Sequence, residues 1–453
     1  MITELSLENF KSWRRIQSMR LAPTTGVFGK NSSGKTSIAQ LLLLLKQTME
    51  SSDRSQPLHF GGGIVSLGSI RDLAHQHKPE ARMSWSLRWT LPEALRIEDT
   101  KEKGRILFED TEVTFEAEVA ENSSGRVVVD HFSYVLAKAK FDYRRIQGAE
   151  EGYEITATAP GFAFRRARGR PWPLPEPVKC YGFPNEVNSY FQNAGFLGDF
   201  ELAFSNLFSR LYYLGPLREY PKREYPWTGS RPPHVGLRGE QVVEALLSAR
   251  SMGERITFGV KGKKGCDLDV YVAEKLKNAG LIHKFSIREV SKGSGLYRVH
   301  VQVSPHGPES LITDVGFGVS QVLPVVTLCY YAPRGSVIML EQPEIHLHPS
   351  AQSALADMLI DAVKAHDVQI IVESHSEHLL RRLQRRVADG TIGATDAALY
   401  FCDTDSAGAS RLVPLNLDEF GAIANWPKDF FGDEFGEIAA TMDAVMRRKE
   451  QPS

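Results

Sequence analysis

Cysteine is scarce. The 453 residues hold four, Cys180, Cys266, Cys329 and Cys402, far apart and without a CxxC pair. That excludes a disulfide framework and a cysteine zinc site, and it fits a reducing cytosol. An excess of either charge is missing too, since 54 basic residues face 55 acidic ones. Composition therefore neither demands nor excludes nucleic acid, and any such contact has to be a local patch. No apolar run approaches the roughly 18–20 residues of a membrane span; Leu41–Leu45 is one short burst. The opening MITELSLENF carries acidic residues where a signal peptide carries basic ones, so secretion is not expected. No heptad seam runs through the chain, so coiled-coil arms are not expected either. What is present is globular: a hydrophobic share of 42% and a charged share of 24% exclude a disordered tail or a fibre. The length suggests two or three lobes.

The texture changes along the chain. Thr3–Phe10 alternates as a strand, and a second apolar strand, Gly26-Val27-Phe28, runs straight into Gly29-Lys30-Asn31-Ser32-Ser33-Gly34-Lys35-Thr36. Ile38–Leu45 follows, apolar all round like a helix held inside a core. From about residue 80 the period is two: Met83, Trp85, Leu87, Trp89 and Leu91, then Val113, Phe115, Ala117 and Val119, then Val127–Leu136 and Tyr153–Thr158. This predicts an antiparallel β lobe inserted after the first nucleotide-binding elements. Proline and glycine punctuate residues 160–240, and a short helix at Glu240–Ala249 precedes an alternating strand through Tyr297, Val299, Val301 and Val303. The last third returns to α/β texture: helices at Asp314–Tyr330, Ser350–Lys364 and His378–Ala388, and buried strands at Ser336–Leu340 and Val368–Val372. Continuous apolar runs such as Val337-Ile338-Met339-Leu340 mark a parallel sheet covered on both faces.

Gly29–Thr36 matches GxxxxGK(S/T) in the strand–loop–helix setting that the pattern requires. Its glycines let successive N–H groups curl around a phosphate, and the helix adds its positive end. Lys35 is placed to neutralise the β- and γ-phosphates, and the Thr36 hydroxyl to bind Mg²⁺. Val337–Pro343, VIMLEQP, is a buried strand ending in an acid, which makes Glu341 a second Mg²⁺ candidate. His375, in Val372-Glu373-Ser374-His375-Ser376, ends the next buried strand and is placed to touch the γ-phosphate. The helix led by Asp314-Val315-Gly316-Phe317-Gly318-Val319-Ser320-Gln321 could present its N–H groups to a phosphate or could simply be capped and flexible.

Taken together, FGKNSSGKTS, DVGFGVSQVLPVV, VIMLEQPEIHLHP and VESHSEHLL resemble the ABC-type ATPase heads of the SMC, RecF and OLD families. The opening ITELSLENFKSW looks like their first strand. The likeness is nearest to bacterial stand-alone AAA-type ATPases with a short C-terminal segment, here Asn425-Trp426-Pro427 and Phe430-Phe431. It covers roughly half the chain, and the β lobe only through position and YYLGPLR. The resemblance implies an α/β P-loop NTPase of the ABC-ATPase head type, a mixed, mainly parallel sheet flanked by helices, with an inserted antiparallel β lobe and a helical signature lobe. The expected divisions are 1–78 (the first half of the head), 79–235 (the β lobe and its connection), 236–335 (the signature lobe), 336–420 (the second half of the head) and 421–453 (the C-terminal segment).

The resemblance also assigns roles. Gly29, Lys30, Asn31, Ser32, Ser33, Gly34, Lys35, Thr36 and Ser37 form Walker A, and Glu341 stands at the Walker B acid. Gly316, Gly318 and Ser320 belong to a divergent signature, His375 is the switch histidine, and Ile345–His348 is the D-loop region. ATP and Mg²⁺ are the implied cofactors, with Thr36 and Glu341 as metal ligands. An ATP-linked homodimer or higher oligomer is the implied assembly, because such heads clamp ATP between Walker A of one subunit and the signature of the other. The chain departs from the family at Gln342, which replaces the usual catalytic glutamate and cannot take up a proton as a carboxylate does. Slow hydrolysis is therefore expected, with Glu344 or His375 orienting water. Gln76 is a candidate for the glutamine that follows Walker A in such heads.

Other readings are bland. His346 and His348 are explained by the D-loop rather than by a metal, and Asp403-Thr404-Asp405 reads as a turn rather than a nuclease centre. The clusters Arg165, Arg166, Arg168 and Arg170 beside Trp172, Arg381, Arg382, Arg385 and Arg386, and Lys261, Lys263 and Lys264 could each meet nucleic acid. The expectation is a cytoplasmic ATP-gated switch with no membrane contact, working with a separate effector protein in bacterial anti-phage defence. The alternative is a RecF-type repair ATPase that binds DNA directly; a transporter subunit ranks last because of the large β insertion.

Overall fold

The computed structural model describes residues 1–77, 82–100, 102, 104–146, 152–167, 172–256, 265–427, 430–431 and 434–450. Arg168, Arg170, Lys261, Lys263 and Lys264 lie outside the described residues.

Strands β1 (Ile2–Phe10) and β2 (Trp13–Arg20) form a hairpin, and β3 (Thr24–Gly29) leads through the glycine loop into helix α1 (Lys35–Glu50). A short helix, α2 (Ile70–Leu73), precedes β4 (Met83–Glu98), β5 (Ile106–Glu121), β6 (Val127–Leu136), β7 (Ala139–Arg145) and β8 (Tyr153–Thr158). Helices α3 (Asn185–Tyr190) and α4 (Leu197–Ser209) then lead to β9 (Leu211–Leu214). Between residues 225 and 311 stand β10 (Tyr225–Pro226), α5 (Val242–Ser251), β11 (Arg255–Ile256), β12 (Cys266–Asp267), α6 (Leu268–Asn278), β13 (Lys284–Glu289), β14 (Leu296–Gln302) and β15 (Glu309–Leu311). The last part runs α7 (Phe317–Tyr331), β16 (Val337–Glu341), α8 (Pro349–His366), β17 (Gln369–Glu373), α9 (Glu377–Ala388), β18 (Ala397–Thr404), β19 (Ser410–Pro414) and α10 (Glu434–Glu450).

Two large sheets organise these elements. The first is seven-stranded and antiparallel, in the order β2-β1-β4-β5-β6-β7-β8. The alternating segments after residue 80 are thus one sheet, as expected, but it is not wholly an insertion. β1 pairs with β4, Leu5 opposite Leu87 and Leu7 opposite Trp85, because its alternating pattern offers one apolar face to the same core. The second sheet has the order β19-β18-β3-β17-β16-β9, parallel except for its β19 edge. β9 had no sequence signal of its own; four residues of Leu-Tyr-Tyr-Leu are too short to show a period.

The parallel sheet is the wall between two cores. Val337 and Met339 of β16 point into the core shared with α1, α4 and the antiparallel sheet. Ile338 and Leu340, on the other face, pack with α5 to α9. This period-two division explains why Val337–Leu340 of β16 and Ile370–Val372 of β17 are apolar without a break: each of these residues has a core to enter. No helix among the described residues is long and apolar enough to cross a membrane.

The C-terminal segment is anchored on this wall. Phe430 meets Phe28 of β3 edge-on at 6.3 Å and Phe401 of β18 at 4.6 Å, and stacks on Phe431 at 4.2 Å. Trp426 packs on Phe430 and lies under the Arg381 guanidinium at 4.2 Å.

Candidate functional site

The glycine loop takes its shape from backbone that few residues tolerate. Ser32 and Gly34 have φ of 59° and 88°. A Cβ on Gly34 would lie 2.4 Å from Ser410 Oγ, 2.5 Å from Ser12 Oγ and 2.9 Å from Trp13 Nε1, so the position has room only for glycine. Trp13 Nε1 donates to the Gly34 carbonyl at 2.9 Å, and the Ser33 hydroxyl closes the loop on the Lys30 carbonyl at 2.8 Å. Lys30 faces Asp403 across 3.6 Å.

Lys35 is 5% exposed and folds back over the loop, donating to the carbonyls of Gly29 at 3.1 Å and Lys30 at 2.7 Å. Burial lowers its pKa, and the nearby Glu373 carboxylate opposes that shift. Thr36 donates its hydroxyl to Glu373, 3.0 Å from either oxygen. These residues border a cavity of 330 Å³ lined by Lys11, Ser12, the loop from Asn31 to Ser37, Gln342, Glu373 and His375.

The sheet order decides which acid faces that cavity. β17 lies between β3 and β16, so Glu373 stands beside the loop strand, and Glu341 sits one strand further away, opposite Glu373 in register. Glu341 is 6% exposed and is not among the lining residues. Burial raises its pKa to about 7, with the negative charge of Glu373 adding to the effect and Arg218 opposing it. Burial also raises the pKa of Glu373, against the pull of Lys35. Glu373 carries the same signal as Glu341, an apolar run ending in an acid, two residues before the histidine of VESHS.

Gln342 lines the cavity with φ of 44°, and its N–H donates to the Glu373 carbonyl at 2.8 Å. Glu344 has another task. One of its oxygens accepts from the Ser374 hydroxyl and from the His375 N–H, both at 2.7 Å, so the buried carboxylate braces the turn that carries His375. The structure does not place Glu344 on the cavity wall. His375 does line it, and burial together with the Lys35 charge lowers its pKa, leaving a neutral ring at physiological pH.

Four expected residues lie elsewhere. Gly316, Gly318 and Ser320, around the start of α7, do not line this cavity, and Ser320 spends its hydroxyl on the Phe317 carbonyl at 2.8 Å. Gly316 and Phe317 are exposed, and the first turn of α7 has no acidic residue. Gln76 is exposed on a turn with φ of 60° and is also outside the cavity wall. His348 caps α8, accepting from the Ser350 N–H. Asp405 holds a turn through the N–H groups of Ala407 and Ala409.

The basic clusters are largely spent. Arg382 and Arg386 both bind Asp357, Arg386 also reaches Asp389, and Arg381 pairs with Glu377. Arg165 donates to the Thr100 hydroxyl, and Arg166 lies over the Phe191 ring. Arg385 stays exposed.

A magnesium ion suits the acidic side of the cavity. Two neighbouring buried carboxylates repel each other, Glu341 Oε1 has no protein partner, and Thr36 offers a hydroxyl beside Glu373. These are few, hard oxygen donors, the kind of set that leaves a magnesium ion most of its water and phosphate ligands.

The chain is similar to known proteins in two segments. Residues 262–380 match the AAA ATPase domain family, and residues 392–440 match a protein family of unknown function, DUF3696. No curated protein matches the chain. Solved structures with similarity include an SMC head bound to the C-terminal winged-helix domain of ScpA (14% identity, TM-score 0.45, covering 92% of this chain and 98% of that one). Others are the SMC head domain of Thermotoga maritima (13%, 0.41, 92% and 99%) and that of Pyrococcus furiosus with an extended coiled coil, bound to the C-terminal domain of ScpA (12%, 0.40, 98% and 99%). The AAA ATPase domain match takes in α7, β16, α8 and β17, the elements that end in Glu341 and Glu373, while the phosphate loop at residues 29–36 lies outside it.

Proposed function

We propose that the chain binds ATP with Mg²⁺, hydrolyses it slowly, and closes as an ATP-linked homodimer that acts as a switch for a separate effector in bacterial anti-phage defence. The observation that carries the dimer is the position of α7. Its acid-free first turn, led by the exposed Gly316 and Phe317, suits negative charge, yet it does not belong to the cavity of its own phosphate loop. A nucleotide on another chain is the ligand such a turn would take.

Within one chain the parts divide as follows. The N–H groups of residues 31–37 hold the phosphates, and Lys35 leaves the Gly29 and Lys30 carbonyls to meet the terminal phosphate. Thr36, Glu373 and Glu341 would hold Mg²⁺, which when bound neutralises phosphate charge. Gln342 can orient a water through its amide but cannot accept that water's proton, and His375 is a neutral neighbour able to hydrogen-bond the transferring group. Hydrolysis without a carboxylate base is slow, and slow hydrolysis keeps a switch closed.

Gln342→Glu tests this reading. Hydrolysis is expected to rise about tenfold or more, within the range a positioned general base contributes, and sedimentation is expected to show ATP-dependent dimers of the native chain. An unchanged rate would move the base elsewhere, and an ATP-bound monomer would end the dimer reading. Direct DNA binding of the RecF kind has less support, because Arg382 and Arg386 are committed to Asp357.

A further inference from the structure

The segment after β9, Gly215-Pro216-Leu217-Arg218-Glu219-Tyr220, has two faces. Leu217 and Tyr220 point outward, 73% and 71% exposed. Tyr220 packs edge-on against Phe317, 54% exposed at the start of α7, with ring centroids 5.9 Å apart. Arg218, between them in sequence, runs inward and is 6% exposed. The segment is pinned at both ends, since the Gly215 N–H donates to the Leu237 carbonyl at 2.9 Å and the Glu219 N–H to the Arg238 carbonyl at 2.8 Å. Only Pro216, Leu217 and Arg218 are left to shift between those pins.

The inner end of this segment is unsatisfied. Arg218 Nη2 donates to the Glu341 carbonyl at 3.3 Å, while its Nε and Nη1 have no protein partner. Glu341 Oε1 and Glu344 Oε2 are buried without partners too. A buried guanidinium beside two half-satisfied carboxylates is costly as it stands, and a small movement that joins them removes the cost. A contact on the outer face of this segment would favour the arrangement that joins them.

We propose that Arg218 is a positioning residue through which a second copy of this chain, seated on Leu217, Tyr220 and Phe317, sets Glu341 and Glu344 for hydrolysis. A second copy is the occupant because the patch surrounds the acid-free first turn of α7, whose positive end complements a nucleotide held on another chain's phosphate loop. The inference rests on the dimer reading above and adds what the dimer does inside each subunit.

The test uses the full-length chain with ATP and Mg²⁺, reading assembly by sedimentation and turnover as kcat and KM at several protein concentrations. Leu217→Glu is expected to abolish the ATP-dependent dimer and the rise of turnover with protein concentration. Arg218→Gln is expected to dimerise normally and keep KM within about twofold while kcat falls about tenfold, with Arg218→Lys recovering part of the loss. If Arg218→Gln does not fold, Leu217→Glu and Arg218→Lys decide the matter, Leu217 being a surface position. Normal kcat in Arg218→Gln, or a Leu217→Glu chain that still dimerises, overturns the relay while leaving the dimer standing. A wild-type chain that stays monomeric with ATP overturns the dimer reading and the relay with it.

Discussion

Thr36 gives its hydroxyl hydrogen to Glu373, 3.0 Å from each carboxylate oxygen, across 337 positions of sequence. The contact joins the first turn of α1 to the end of β17 and turns the threonine hydroxyl of the phosphate loop toward a buried acid. Behind Glu373 stands Glu341, so the loop faces two buried carboxylates in series.

Glu373→Gln follows from that arrangement. The amide keeps an acceptor for Thr36 and removes one of two neighbouring buried charges. The nucleotide-free chain is expected to gain about 1 kcal/mol, a common size for relieving an unfavourable buried charge. Binding of Mg²⁺ and ATP is expected to weaken about tenfold or more, as for loss of a ligand. Melting curves with and without nucleotide check both signs; a lower melting temperature in the nucleotide-free variant would remove the repulsion argument.

Stability should also depend on pH through Glu341. Its carboxyl holds a proton up to about 7 in the folded chain, against the ordinary 4.5. Between those values the folded state binds more protons than the unfolded one, so stability falls as pH rises from about 4.5 to about 7 and levels off above. His375, whose pKa is lowered, contributes the opposite slope below its ordinary value, so the comparison is with Glu341→Gln. The stability difference between wild type and variant is expected to change by on the order of 2–3 kcal/mol across that window. Denaturant titrations in chelator at pH 5 and pH 8 measure it.

Much of this was legible in sequence because it is local. The phosphate loop needs only the glycine spacing and its flanking strand and helix, and β16, β17, α8 and α9 appear with their ends shifted by a residue or two. Sheet order is not local. Nothing in Ile2–Phe10 says that its partner is Met83–Glu98, nor in Gln369–Glu373 that it lies between β3 and β16. Glu373 was readable in principle, as an acid ending a buried apolar run. Arg218 was not, because a lone arginine in a Pro-Leu-Arg turn looks exposed until the chain folds it under Glu341.

Gly34→Ala tests the tightest point of the loop. A methyl group there meets Ser12, Ser410 and Trp13 together, from backbone at φ of 88°. The expected cost is about 2–4 kcal/mol, combining strain with displaced polar contacts. Nucleotide binding should be lost even where the protein stays folded, because Trp13 Nε1 can no longer hold the Gly34 carbonyl. Isothermal calorimetry with ATP, beside a denaturation curve, separates the two effects.

Phe430→Ala asks what the C-terminal segment is for. The ring is 6% exposed and touches Phe28, one residue before the loop's first glycine, as well as Phe401, Trp426 and Phe431. Removing it should cost about 3 kcal/mol, the usual loss for a buried phenylalanine. A purely structural anchor would lower stability and leave ATP affinity unchanged at temperatures where the variant is folded. Because Phe28 and Gly29 are consecutive in β3, a shift of the Phe28 ring into the vacated space carries the loop with it. Affinity is therefore expected to fall about threefold to tenfold as well, and calorimetry well below the variant's melting point distinguishes a clamp on the phosphate loop from a plain core contact.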